Sequence, residues 1–361
     1  MIRVIVVDDS ALMRKVMSEI LDSDPEIEVV ATAADPLIAR QKIKELNPDV
    51  ITLDIEMPRL NGLDFLEKIM RLRPMPVLVV SAFAEKGSDI ALKALQLGAV
   101  DFATKPDLDI KSGLITMQAE LIGKVKSAAA ASFYPKYRAT EKRSLRKMLS
   151  GDRARNSRHV VAIGASTGGV YALTNILSDL PSDTPPILIT QHISGVFVER
   201  FAQRLDDTTA LRVAVATNGM RLLPGHAFLA PSGHHLALSR AGAHFQTRLD
   251  SGPRVSGHRP SVDVLFSSVA ANAGADATGI LLTGMGKDGA EGLLKMRKAG
   301  AMTICQNEAT SLVYGMPRAA VVLEAVDLEL PLDEITGYII SGAGSATRPD
   351  SGSQGEGCQA Q

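Results

Sequence analysis

Short runs of apolar, often β-branched residues alternate with amphipathic stretches along most of this chain, in two separate series. Ile2 to Val7 reads as a buried strand, and Met13, Val16, Met17 and Ile20 then recur at helical spacing. The alternation continues with a strand at Ile27 to Ala31, a helix at Pro36 to Leu46, a strand at Val50 to Leu53 and a helix at Leu63 to Leu72. It goes on with a strand at Val77 to Val80, a helix from Ser88 to Leu97 stopped by Gly98, a strand at Val100 to Thr104, and a last helix near Asp109 to Ala131. Strands that alternate with helices predict a parallel sheet covered on both faces.

A second series starts at His159. His159 to Ile163 reads as strand, Gly169 to Leu180 as helix, Ile187 to Thr190 as strand and Val196 to Leu205 as helix. Arg212 to Arg248 is richer in Gly and Pro and reads as short antiparallel strands. Helix at Ser261 to Asn272, strand at Ile280 to Thr283, helix at Gly289 to Ala299 and strand at Ala301 to Gln306 complete the series. Between the two, residues 132–158 are crowded with Lys, Arg and Ser and lack periodicity, as expected of an exposed linker whose charges are simply solvated. Residues 342–361 are rich in Gly and Ser and read as a disordered tail. The expected organisation is therefore two α/β domains, 1–131 and 159–341, which suits a length of 361 residues.

A formal net charge of -1 excludes a basic field able to hold a nucleic-acid backbone or an anionic membrane. Acids interrupt the first apolar run after one strand's length, so it is no signal peptide, and no stretch is long enough to span a bilayer. Cys305 and Cys358 cannot build a disulfide framework, which fits a reducing, cytoplasmic setting.

Open parallel sheets bind ligands at the carboxyl ends of their strands. In the first domain Asp8 and Asp9 end the first strand, Asp54 the third, Ser81 the fourth and Lys105 the fifth. Three converging carboxylates repel each other unless a hard cation joins them, and Mg²⁺ suits an all-oxygen set. Phosphoryl transfer onto Asp54 fits, with Mg²⁺ and Lys105 neutralising phosphoryl oxygens and Ser81 donating a hydrogen bond.

In the second domain Gly164-Ala165-Ser166-Thr167-Gly168-Gly169 lies between a strand and a helix. Gly-x-Ser-x-Gly permits a sharp turn that projects the serine, with the following amides able to hold an oxyanion. The same turn could instead cradle a phosphate, although no Walker Lys-Ser/Thr follows it. A nucleophilic serine needs a base and an orienting acid. His192 ends a buried-type strand at the same sheet edge, and Asp288 follows another strand within Thr283-Gly284-Met285-Gly286-Lys287-Asp288-Gly289. Asp288 could be a helix N-cap, the partner of His192, or both. His234 and His235 are weaker candidates for the base, His159 begins its strand at the wrong edge, and His258 is a candidate substrate contact.

These motifs resemble known families. Val7-Asp8-Asp9-Ser10, Leu53-Asp54-Ile55-Glu56-Met57-Pro58, Asn61-Gly62 and Thr104-Lys105-Pro106 resemble the receiver domain of two-component response regulators. The resemblance implies a flavodoxin-like, five-stranded receiver phosphorylated on Asp54 by a histidine kinase, with Phe102 at the aromatic switch position. Residues from about His159 to Ile340 resemble the catalytic domain of the chemotaxis protein-glutamate methylesterase family, CheB. The resemblance rests on Ile163 to Gly169, Gln191-His192, Arg259-Pro260-Ser261-Val262-Asp263, Leu282 to Gly289 and Tyr314-Gly315-Met316-Pro317-Arg318.

That likeness implies a doubly wound, mostly parallel sheet and a catalytic triad of Ser166, His192 and Asp288. It also implies an oxyanion site at the amides of Thr167 and Met285 and no cofactor in this domain. The expected activity is hydrolysis of glutamate methyl esters on methyl-accepting chemoreceptors, with deamidation of receptor glutamines as the same acyl chemistry. The turn Ile193-Ser194-Gly195-Val196-Phe197-Val198 departs from the family's Met-Pro-rich pattern there. Two other classes stand beside the esterase: a phospho-regulated nucleotide-binding module built on the Gly168-Gly169 turn, and a DNA-binding regulator, which the charge and the α/β output half oppose.

Overall fold

The computed structural model describes residues 1–57, 62–81, 85–105, 114–131, 159–193 and 195–341. The expected linker at 132–158 and tail at 342–361 lie outside them, as do Pro58, Asn61, Pro106 and Ser194.

The first unit runs β1 (Ile2–Val7), α1 (Ala11–Asp22), β2 (Ile27–Ala33), α2 (Pro36–Leu46), β3 (Val50–Asp54), α3 (Gly62–Leu72), β4 (Val77–Ser81), α4 (Glu85–Gln96), β5 (Asp101–Thr104) and α5 (Leu114–Ala129). Its five strands pair in parallel in the order β2-β1-β3-β4-β5, the flavodoxin-like order. Central strands read as unbroken apolar runs because helices cover both faces. Val50 to Asp54 is buried throughout. Asp35 caps α2 by accepting from the N–H groups of Leu37 and Ile38, with Pro36 at the first helical position.

The second unit runs β6 (Val160–Ala165), α6 (Gly169–Ser178), β7 (Ile187–Gln191), α7 (Val196–Thr208), β8 (Arg212–Val215), β9 (His226–Leu229), β10 (His235–Ala241), β11 (His244–Asp250), α8 (Val262–Asn272), β12 (Ala277–Leu281), α9 (Ala290–Lys298), β13 (Met302–Gln306), α10 (Met316–Val322), β14 (Leu328–Leu330) and α11 (Leu332–Ser341). Seven strands form one sheet, β14-β13-β12-β6-β7-β9-β8, and every pairing in it is parallel.

This corrects the reading of Arg212 to Arg248 as antiparallel strands. Only β10 and β11 form an antiparallel pair, while β8 and β9 join the parallel sheet. Each of those two strands has 4 residues, and Gly219, Pro224 and Gly225 lie between them. Short strands with turn residues between them imitate a hairpin when only local pattern is read. Thr283, expected at the end of its strand, lies beyond β12 in the loop that follows.

Each sheet reverses its winding direction at one point, and that is where a crevice opens. In the smaller sheet the point lies between β1 and β3, and in the larger between β6 and β12. The two motif-bearing sets of loops sit at these two places.

Candidate active site

Ser166 follows β6 directly, at the switch point of the larger sheet. Its N–H donates to Thr283 O at 3.0 Å, and its carbonyl accepts from Gly169 N at 2.7 Å and from Gln191 Nε2 at 2.9 Å. The turn is pinned to three strand ends at once. Glycine is required there for two separate reasons. Gly168 has φ +80°, and a Cβ on it would lie 2.8 Å from Leu312 Cβ. A Cβ on Gly164 would lie 2.2 Å from Val262 Cγ1.

His192 follows β7, and its N–H donates to Ala165 O at 3.1 Å, so the candidate base and the candidate nucleophile grow from hydrogen-bonded neighbours. Its Nε2 lies 2.9 Å from Asp288 Oδ2. Asp288 is 1% exposed. Burial pushes its pKa up, but the hydrogen bond and charge of His192, with the Ser261 hydroxyl and Val262 N–H, outweigh it and bring the pKa down to about 2. An ionised Asp288 can only accept, so Nε2 carries a proton, and in the neutral ring Nδ1 then holds the lone pair. Nδ1 is buried and has no hydrogen-bond partner among the described residues.

No hydrogen bond joins Ser166 to His192, although both border the same cavity. Such contacts are often loose before substrate arrives. The amides of Thr167 and Met285 donate no hydrogen bond among the described residues. Met285 follows Gly284, and a Cβ on Gly284 would lie 2.7 Å from Ser166 Cβ. Both amides are therefore uncommitted, on the turn that carries the serine and on the loop packed against it.

Asp288 is indeed a helix cap, but not of the helix it precedes. Gly289 is the N-cap of α9. Asp288 instead serves α8, accepting from Ser261 Oγ at 2.7 Å, Val262 N at 2.8 Å and Asp263 N at 3.1 Å. His235 turns out to be structural, with Nδ1 accepting from Ser261 N at 3.1 Å and Nε2 donating to Pro253 O at 2.9 Å. The sequence reading did not foresee the roles of Gln191, Ser261, His235 and Thr283. Thr283 Oγ1 bonds Thr167 O at 3.0 Å and accepts from Val313 N at 2.9 Å, tying three loops together. The signal for Gln191 and Ser261 was present as motif but carried no chemistry of its own.

In the first unit Asp8, Asp9 and Asp54 bring carboxylate oxygens within 4.8 Å of one another. Lys105 Nζ lies 2.7 Å from Asp54 Oδ2 and 2.9 Å from Asp8 Oδ2. Burial raises the pKa of Asp54, with Lys105 and the Glu56 N–H opposing and Asp8 adding to the rise. Burial pulls Lys105 the other way, yet its bonds to Asp54 and Asp8 win and hold its pKa above the ordinary value. Ser81 ends β4 at the same edge. An all-oxygen trio with one cation beside it suits a hard divalent ion.

The two units meet over Ser166. Leu95, Ala99, Val100, Asp101 and Phe102 face Ser166, Gly168 and His192 across a cavity of about 10 Å³. That is room for about one water. Phe102, at the expected switch position, packs on Phe197 of α7 with ring centroids 4.1 Å apart. Asp101 Oδ2 accepts from Thr167 Oγ1 at 3.4 Å, and burial raises the Asp101 pKa against the pull of Lys124. Ser127 Oγ contacts Met285 Sδ. Among the described residues no helix is long and apolar enough to cross a membrane.

Comparison with known proteins identifies the family of each unit. Residues 161–339 match the CheB methylesterase family, and residues 4–111 match the response regulator receiver domain. The chain is 50% identical over 349 residues to the protein-glutamate methylesterase/protein-glutamine glutaminase of Pectobacterium atrosepticum, covering 96% of this chain and 99% of that one. It is 52% identical over 347 residues to protein-glutamate methylesterase/protein-glutamine glutaminase 2 of Bordetella avium, covering 95% and 97%. The crystal structure of the Thermotoga maritima CheB methylesterase catalytic domain superposes with a TM-score of 0.50 at 34% identity, covering 51% of this chain and 98% of that one. With about half its residues identical to such relatives over nearly its whole length, this chain belongs to the CheB methylesterase family and carries a response regulator receiver domain in front of the methylesterase domain.

Proposed function

We propose that the chain is a phosphorylation-activated serine esterase that hydrolyses glutamate γ-methyl esters on chemoreceptors and deamidates receptor glutamines. The observation that carries this reading is the polarised pair of His192 and Asp288, 2.9 Å apart, beside Ser166 at the switch point of a parallel sheet.

His192 Nδ1 takes the proton of Ser166, and Oγ attacks the γ-carbonyl carbon. The oxyanion forms against the amides of Thr167 and Met285, each donor of this kind lowering the barrier by about 3 kcal/mol. The tetrahedral intermediate collapses as His192 returns the proton to the leaving methoxide, and methanol departs. Water, deprotonated by His192, then attacks the acyl-enzyme and releases the glutamate carboxylate. With glutamine as substrate the leaving group is ammonia. Asp288 stays ionised throughout and stabilises the imidazolium.

In the receiver Asp54 accepts a phosphoryl group from a histidine kinase, and Lys105 neutralises its oxygens. Asp8, Asp9 and Asp54 would hold Mg²⁺, which when bound supplies charge neutralisation for the incoming phosphoryl group. Ser81 and Phe102 are the proposed switch pair. A cavity of about 10 Å³ cannot admit a receptor helix, so the docked receiver excludes substrate from Ser166. Phosphorylation shifts the population to an undocked form. This reading also places the enzyme in the cytoplasm, as expected from the cysteines, with residues 1–131 as receiver and 159–341 as esterase.

The test is methanol release from methylated chemoreceptor membranes by phosphodonor-treated protein. Ser166→Ala abolishes it on this reading. Undiminished release by that variant would refute the assignment.

A further inference from the structure

The loop before α8 makes a tight two-residue turn. Val255 and His258 exchange backbone hydrogen bonds of 3.0 and 2.9 Å across Ser256 and Gly257, whose φ angles are +53° and +82°. Two successive positive φ values give a type I′ turn, a rigid connection. The turn is braced twice, by Arg254 Nη1 on Gly257 O at 3.2 Å and by Ser256 Oγ on Asp263 Oδ2 at 3.3 Å. Asp263 is itself held, since its Oδ1 accepts from Gly292 N at 2.7 Å.

This turn carries His258 onto the face of His192. The ring centroids lie 3.8 Å apart and the planes differ by 7°. The His258 ring makes no hydrogen bond among the described residues, so the stack is its defined polar-ring contact. Parallel planes also keep its nitrogens from bonding those of His192, which rules it out as a relay in this arrangement.

A single hydrogen bond to Asp288 fixes one point of the His192 ring. The ring can still swing about that bond, and Nδ1 would swing with it. A flat partner on the face removes this freedom. The geometry points to His258 as a positioning residue for the reaction, whose ring holds the plane of His192 and so fixes where Nδ1 lies at the cavity that Ser166 also borders. The inference rests on the hydrolase reading above and adds a fourth side chain to it.

The electrical state of His258 is compatible with this role. Burial, with the nearby charge of His192, lowers its pKa to about 4, Asp288 opposing and Arg254 adding to the fall. Near neutral pH His258 is therefore uncharged, and the imidazolium formed on His192 during catalysis meets a π face and not a second cation.

The experiment uses the full-length, phosphodonor-treated protein, with methanol release from methylated chemoreceptor membranes and thermal melting measured in parallel. Ser166→Ala reports on the hydrolase reading itself. His258→Ala and His258→Gln lose the flat ring, and kcat falls roughly 10- to 100-fold with KM within about twofold, as for a misdirected base. His258→Phe restores the plane without the nitrogens and recovers kcat to within about fivefold of wild type. The opposite order, Gln active and Phe inactive, would show that His258 works through its nitrogens and overturn the proposal. So would all three variants lying within about threefold of wild type while Ser166→Ala is inactive. If His258→Ala melts early, the comparison of Phe with Gln at matched stability decides.

Discussion

Replacing Asp288 by Asn separates its two duties. The carboxylate accepts four hydrogen bonds: Oδ1 from Ser261 Oγ and Asp263 N, Oδ2 from His192 Nε2 and Val262 N. An amide oxygen in the place of Oδ1 keeps the first two. The NH₂ in the place of Oδ2 then faces the Val262 N–H, donor against donor, and can bond His192 only if Nε2 is the unprotonated nitrogen. That selects the tautomer with its proton on Nδ1, which cannot take the proton of Ser166.

Two magnitudes follow. The pKa falls from 3.8 to about 2, so the ionised form is favoured in the fold, net of its burial, by roughly 2–3 kcal/mol at neutral pH. The orphaned Val262 N–H overlaps with that figure, at about 1–3 kcal/mol. Because the folded-state pKa is depressed, the stabilisation is complete above about pH 4 and is lost as pH falls through about 2. Asp288→Asn should therefore lower the melting temperature of the methylesterase domain by about 5–10 °C at pH 7 and much less near pH 2. In turnover the wrong tautomer should cost about 10⁴ in kcat. Methanol release and melting curves at both pH values read the two effects. Activity within tenfold of wild type would refute the tautomer argument and leave Asp288 as a helix cap alone.

Three further outcomes are expected. Asp54→Asn removes the phosphoryl acceptor, so phosphodonor no longer raises methanol release while the unstimulated rate persists, and Mg²⁺ chelation of wild type does the same. Leu95→Glu puts a carboxylate into the small cavity against Ser166, and undocking to avoid its burial should raise the unphosphorylated rate at least about tenfold. Gly164→Ala drives a methyl group into Val262, whose side chain is stiff and 0% exposed, and a melt should show about 1–3 kcal/mol of lost stability.

The chain announces its two sheets because central parallel strands are buried on both faces and read as apolar runs, as in Val160 to Ala165 and Ile187 to Ile189. Strand-end chemistry was legible for the same reason, since a polar residue that ends such a run must sit on the rim. Asp8, Asp54 and His192 stand out in this way, and Ser166 through the Gly-x-Ser-x-Gly turn that follows its strand. The helix that Asp288 caps was not legible. Its local pattern points to α9, and only the packing of α8 beside it brings the amides of Val262 and Asp263 to its oxygens. His258 was a candidate contact whose stack depends on a turn folding back across the sheet edge. The docking of Phe102 on Phe197 joins surfaces from different units, and no periodicity within either one records it.

The most direct test is reaction of the intact protein with a covalent serine-hydrolase reagent, followed by mass mapping of the modified peptide. The account predicts one modified position, Ser166, reacting slowly in the unphosphorylated protein and faster once Asp54 is phosphorylated. Modification at another residue, or a protein that resists the reagent while still releasing methanol, would contradict it.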